Sequence, residues 1–183
     1  MATIFEKLKL KEQFDYVFEM DKDVFFESFR EMVDKGSSSD LFSRQFDKFI
    51  DGDNDYIGSV YKDNFRIRKR YEFLNNNSSI AIGKINIEDN VVSVSTKVTA
   101  FNDGNVFGPI VLVVLYVGFL IAWHSHFADS FLTFFRNVTI VFVLMIAIVF
   151  HFMKKAVVSL RSDLEADFDF IQIKNKKKAD KVH

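Results

Sequence analysis

The chain has 183 residues, with 24 basic and 25 acidic side chains and a formal net charge of −1, so no overall positive field favours nucleic acid. Cysteine is absent, which excludes disulfides, thiolate zinc sites and iron–sulfur clusters. The mean hydropathy of +0.05 averages a highly charged first half with a nearly uncharged apolar stretch. With 23 Phe and a single Pro, the composition suits helices and strands docked against lipid or an aromatic core, with little loop.

In chain order, the opening MATIFEKLKLKEQF lacks the continuous apolar core and small-residue cleavage site of a secretory leader. Residues 14–20 read as a short strand. Asp21 is placed to cap a helix, with Asp23 in its first turn. Val24, Phe25, Phe29, Met32 and Val33 carry the helical spacing on to Lys35, and Gly36 with Ser37–Ser39 closes it. The stretch Leu41–Ile50 fits a short helix or a loop pinned by aromatics. After Asp51-Gly52-Asp53-Asn54 the period becomes two. Strands are expected at Tyr56–Tyr61, Phe65–Phe73, Ile80–Ile87 and Val91–Phe101, joined by turns at Lys62-Asp63-Asn64, Asn75-Asn76-Asn77 and Glu88-Asp89-Asn90. The expected fold class is α+β: a four- to five-stranded antiparallel meander with one or two helices.

Two apolar runs follow, near 107–124 and 137–153, each about 17–18 residues and close to the lower limit for a hydrocarbon core of roughly 30 Å. Pro109 fits the first turn of the first run. Trp123 and Phe131–Phe135 sit where an interfacial aromatic belt belongs. Burying two such runs in a soluble chain of this size is difficult, so the expectation is a transmembrane hairpin over 106–153. A cytoplasmic α+β domain precedes it over 1–105, and a tail helix with a polybasic end follows over 154–183. Val157 or Val158, Leu160, Leu164, Phe168 and Ile171 give that tail an amphipathic stripe able to dock on the sheet, making one domain from both chain ends. Lys154, Lys155, Arg161 and the tail lysines against a weakly charged loop place both termini in the cytoplasm, with the protein in the bacterial inner membrane.

Gly58, Phe65-Arg66-Ile67-Arg68, Ile82-Gly83-Lys84-Ile85 and the alternating Val92–Phe101, followed at once by an apolar run, form a connected pattern. Over Tyr56 to Trp123 the chain resembles a group of small, uncharacterised membrane proteins of Bacteroidota, which have a β-meander followed by a two-helix transmembrane hairpin. Where such proteins often carry Pro, this chain has Asn75–Ser79 and Asn102–Asn105. The resemblance implies a fold and a membrane location, and no activity.

Among candidate sites, Arg66, Arg68 and Arg70 project at period two and form either a solvated outer face or a contact for anionic lipid or an acidic partner. Lys174, Lys176, Lys177 and Lys178 form a polybasic segment suited to an anionic leaflet. Tyr116 falls near mid-membrane, where its hydroxyl needs a partner on another helix, and Gly118 offers a place for close helix approach. His124 and His126 with Asp129 are an incomplete metal set, His151 is interfacial, and Asp51–Asp55 lacks the spacing and closing Glu of a calcium loop. No catalytic, metal or cofactor set assembles, and Asp103 and Ser159 have no evident catalytic partner. The expected function is therefore non-enzymatic: a membrane-anchored accessory or scaffold subunit presenting its cytoplasmic sheet to a protein partner or a second copy. The alternative is a ligand-responsive effector or sensor that oligomerises through the hairpin, an analogy of architecture alone.

Overall fold

The computed structural model describes residues 4–36, 50–70, 79–88, 91–100, 113–119, 121 and 131–179. A short helix α1 (Ile4–Lys7) leads into strand β1 (Lys11–Phe18), helix α2 (Lys22–Glu31) and strand β2 (Val33–Lys35). Strands β3 (Tyr56–Val60), β4 (Asn64–Lys69), β5 (Ile80–Glu88) and β6 (Val91–Thr99) follow. Residues 113–119 form a helical segment, α3, and Phe131–Ala179 a 49-residue helix, α4. The strands make one sheet in the order β1-β6-β5-β4-β3-β2, antiparallel except for β2 with β3.

The antiparallel meander β3–β6 is the expected one, the strand expected over residues 14–20 joins it as β1, and β2 adds a sixth strand. β1 starts at Lys11, earlier than its apolar alternation indicates, because Lys11, Glu12 and Gln13 pair with Thr99, Val98 and Lys97. Asp21 caps α2, its carboxylate accepting the Asp23 amide at 2.8 Å. The helix does not run to Lys35 as expected. It ends at Met32, whose amide reaches the Phe29 carbonyl, and Val33–Lys35 pairs in parallel with Tyr56–Gly58. One more apolar residue at the end of a helical stripe cannot be told from the start of a strand, so periodicity overshot by one turn. The Leu41–Ile50 alternatives fall outside the described residues except for Ile50.

The core lies on one sheet face, under α2 and the C-terminal half of α4. Val157, Leu160, Leu164, Phe168 and Ile171 of α4 are all fully buried, which is the stripe expected for the tail. Phe168 is the hub: its ring lies 6.1, 5.6, 5.3 and 5.6 Å from those of Phe14, Tyr16, Phe18 and Phe29. Such tilted and edge-on aromatic contacts add to the burial of area itself. Two glycines make room inside the sheet. A methyl at Gly83 would fall 2.0 Å from the Phe65 ring, and one at Gly58 2.2 Å from the Arg66 carbonyl oxygen. Since backbone cannot swing aside, Gly58→Ala is expected to cost about 1–3 kcal/mol, read as a lowered unfolding midpoint.

The two-helix hairpin is not what the described residues hold. They contain one helix long and apolar enough to cross a membrane, Phe135–Lys177 within α4, and that helix alone does not support a multi-pass arrangement. The second expected span, 137–153, has no end of its own, and the expected tail helix is its direct continuation. The physical reason is plain in the sequence: neither Gly nor Pro occurs after Gly118, so Lys154–Lys155 marks a change of surroundings and not a break in the helix. Of the first expected span, 107–124, residues 113–119 and 121 are helical, and the others lie outside the described residues.

Candidate functional site

The site is built along α4, where one helix passes from an apolar half to a half embedded in the domain. From Ile140 to Phe150 every residue is apolar. Ile140, Val141, Val143, Leu144 and Ile148 are each more than half exposed, while Val138, Thr139, Phe142, Ile146 and Val149 form a half-buried strip. Tyr116 of α3 lies on that strip, its ring stacked on Phe142 at 4.1 Å and its hydroxyl 2.7 Å from Thr139 Oγ1. Thr139 in turn donates to the Phe135 carbonyl, one turn back. Gly118 faces no described neighbour: a methyl there would meet nothing within 4 Å.

Past Met153 the buried stripe of α4 is flanked by a polar seam. Arg161 binds Glu12 and Glu165, both at 3.0 Å, and Lys69 reaches Asp163 at 2.8 Å. The Tyr56 hydroxyl donates to Asp167, and that of Tyr16 to Asp169. Farther along, Lys174 lies 3.5 Å from Glu31 and Lys176 3.5 Å from Glu19, and Asn175 Nδ2 reaches Ser28 Oγ at 3.3 Å. Ser159, for which the sequence offers no evident catalytic partner, donates to Asp163 at 3.3 Å, and that carboxylate is already held by Lys69. The set reads as docking contacts in which helix polar groups alternate with core positions.

Burial, reinforced by the neighbouring Asp169 carboxylate, raises the Tyr16 phenol to about 12, and burial beside Asp167 pushes Tyr56 up as well. Burial also raises Asp167; nearby Asp163 and Asp55 add to this, and together they outweigh the Tyr56 hydrogen bond. The sign follows from linkage. A phenol raised in the folded state contributes stability that is intact below the ordinary tyrosine range and is lost as pH rises through the folded value. Stability is therefore expected to fall between about pH 10 and 12, with Tyr16→Phe flattening part of that slope. Spectrophotometric tyrosine titration beside alkaline unfolding checks both.

The arginine stripe separates into distinct environments. Arg68 is 2% exposed, on the face opposite α2 and α4, in company with the buried Ile57 and Ile80. Arg70 locks a loop: its guanidinium binds Asp34 and donates to the carbonyls of Gly52 at 2.8 Å and Asn54 at 3.0 Å. Asn54 completes the clamp, donating to both Asp34 oxygens through its amide and side chain, at 3.0 and 2.8 Å. Burial opposes ionisation of Asp34, but the bonds from Asn54 and Arg70 prevail and hold its carboxyl below the usual range. Gly52, at φ 111°, is the turn residue of this loop and would meet the Asp34 carboxylate if it carried a side chain. The calcium-like Asp51–Asp55 stretch is thus tied down by an arginine. Arg66 is half-buried on the same strand.

Of the tail lysines, Lys174 and Lys176 are paired as above and Lys177 is exposed, while the side chain of Lys178 lies outside the described residues. His124, His126, Asp129 and Asp103 also lie outside them. Among the described residues no group of three His, Cys, Asp or Glu could hold a metal. The sequence reading missed the Asp34 clamp, since Asp34 was placed in a helix, and missed the grouping of His151, Lys154, Lys155 and Ser159 on one face of α4. Their offsets of three, four and eight are the signal that finds it. No protein-family model matches this chain, and neither a curated protein nor a solved structure is detectably similar to it.

Proposed function

We propose that this is a non-enzymatic membrane protein in which the apolar half of α4 is seated in a bilayer and its other half belongs to a cytoplasmic α+β domain offered to a protein partner. The observation that carries the reading is the change along one unbroken helix. Residues 140–150 are apolar on every side and largely bare, whereas Val157, Leu160, Leu164, Phe168 and Ile171 are sealed in a core. A helix hydrophobic all round needs lipid or protein on all sides. From Phe135 to Met153 it extends roughly 28 Å at about 1.5 Å per residue, close to the hydrocarbon thickness.

Such a placement carries a topological condition. The sheet up to Ala100 and α4 from Ala156 onward belong to one packed body, with Ser79 Oγ donating to the Ala156 carbonyl at 2.9 Å. If α4 crosses the bilayer, its start lies on the far side. On that placement the Tyr116–Thr139 pair satisfies two hydroxyls away from water. Lys154, Lys155 and the tail lysines favour the cytoplasm for the domain.

For the partner surface, β1 ends the sheet and pairs on one side with β6. An edge strand presents backbone donors and acceptors that an incoming strand can use. The test is photocrosslinking in cells from Gln13, Asp15 and Val17, with Ser162 on α4 as a control. A discrete adduct from the β1 positions alone, at the mass of one partner or of a second copy, is expected. A chain that stays monomeric and uncrosslinked at all of them contradicts the scaffold reading.

A further inference from the structure

We infer that His151, Lys154 and Lys155 form a binding site for the phosphate-bearing headgroup of an anionic phospholipid at the cytoplasmic end of the apolar half of α4. This rests on the membrane placement proposed above and adds to it a specific lipid contact. The three side chains, with Val158 and Ser159, line an open cleft of about 330 Å³. Their offsets put them on one helix face, and His151, Lys154, Lys155 and Val158 are all exposed.

Charge pairing separates these lysines from three other cations of the helix. Arg161, Lys174 and Lys176 each have a carboxylate of this chain within 4.0 Å. Among the described residues Lys154 and Lys155 have none. The acid nearest along this face, Asp163, is occupied by Lys69 at 2.8 Å. Two ammonium groups with no counter-charge among the described residues, placed at headgroup depth, suit an anion from outside the chain, and in a bilayer the phosphodiester is the anion at that depth. Phe152 and Val158 are exposed beside them, 62% and 41%, and give the lipid's glycerol and upper acyl carbons an apolar surface. Lysine presents a mobile point charge with three donors, suited to a phosphate whose orientation is not fixed.

The test uses the full chain, delipidated in a zwitterionic detergent and titrated with phosphatidylglycerol or phosphatidylcholine, with bound lipid counted by native mass spectrometry. Phosphatidylglycerol is expected to bind preferentially, and K154Q/K155Q to weaken it about 30-fold, two charges at about 1 kcal/mol each. K174Q/K176Q/K177Q, with unchanged unfolding, is expected to alter it less than threefold. Inorganic phosphate at millimolar concentration is expected not to displace the lipid. Equal binding of the two lipids, an unaffected K154Q/K155Q, a loss that follows the tail variant, or displacement by phosphate would each overturn the site. The membrane placement fails separately: a cysteine at Leu144 would then be freely labelled in native membranes, whereas loss of the headgroup site alone leaves it protected.

Discussion

Replacing Phe168 with alanine is expected to cost about 3–5 kcal/mol of stability, the largest single-site loss in the domain. The side chain is fully buried, and its ring touches those of Phe14, Tyr16 and Phe18 on β1 and Phe29 on α2. Truncation removes apolar burial and leaves a cavity between elements that cannot collapse together, because sheet and helix are held apart by neighbouring core residues. Phe168→Leu, which keeps most of the volume, is expected to cost much less. Urea unfolding in detergent, followed by far-ultraviolet circular dichroism, gives the ranking, and hydrogen exchange should locate the loosened amides in β1 and β6. A Phe168→Ala loss below 1 kcal/mol would mean that α4 is not part of this core.

The Asp34–Arg70 clamp gives the second large effect. Asp34→Ala is expected to destabilise by about 3 kcal/mol, since it leaves the Arg70 guanidinium and the Asn54 donors facing a void. Removing both charges with Asp34→Ala/Arg70→Met should recover part of the loss, because the cost lies in the uncompensated partner; a double-mutant cycle measures the coupling. The pH dependence has a definite sign. Asp34 is held below its ordinary range, so its contribution is present above that range and is lost as pH falls through the depressed folded value. The burial-raised Asp167 works the other way, its cost setting in as pH rises from the ordinary carboxylate range through its elevated folded value. Asp167→Asn, which keeps an acceptor for Tyr56, is therefore expected to gain stability at neutral pH.

Much of this architecture was legible in the residues because period and solvent agree there. The alternation Phe65, Ile67 against Arg66, Arg68 placed β4, and Asp21 declared the start of α2. The stripe Leu160, Leu164, Phe168, Ile171 announced a docked helix. What was not legible depended on neighbours distant in sequence. The β1 residues Lys11–Gln13 are too polar to look like a strand and become one by pairing with β6. Val33–Lys35 becomes a strand because β3 offers an edge. The alternation set Arg66, Arg68 and Arg70 on one face, yet it could not distinguish a buried Arg68 from a loop-locking Arg70, since that depends on what covers the face. At α4 a boundary was read into a change of polarity, when only Gly, Pro or a cap would have ended the helix.

The absence of cysteine makes the chain its own background for the decisive measurement, labelling of single introduced cysteines by a membrane-impermeant maleimide. With α4 in the bilayer and its C-terminal half in the cytoplasm, Arg136→Cys is expected to react in intact cells and Ser162→Cys only after permeabilisation. Leu144→Cys should stay protected until the membrane is dissolved. Reaction of Leu144→Cys in intact membranes, or of positions 136 and 162 from the same side, would contradict the account.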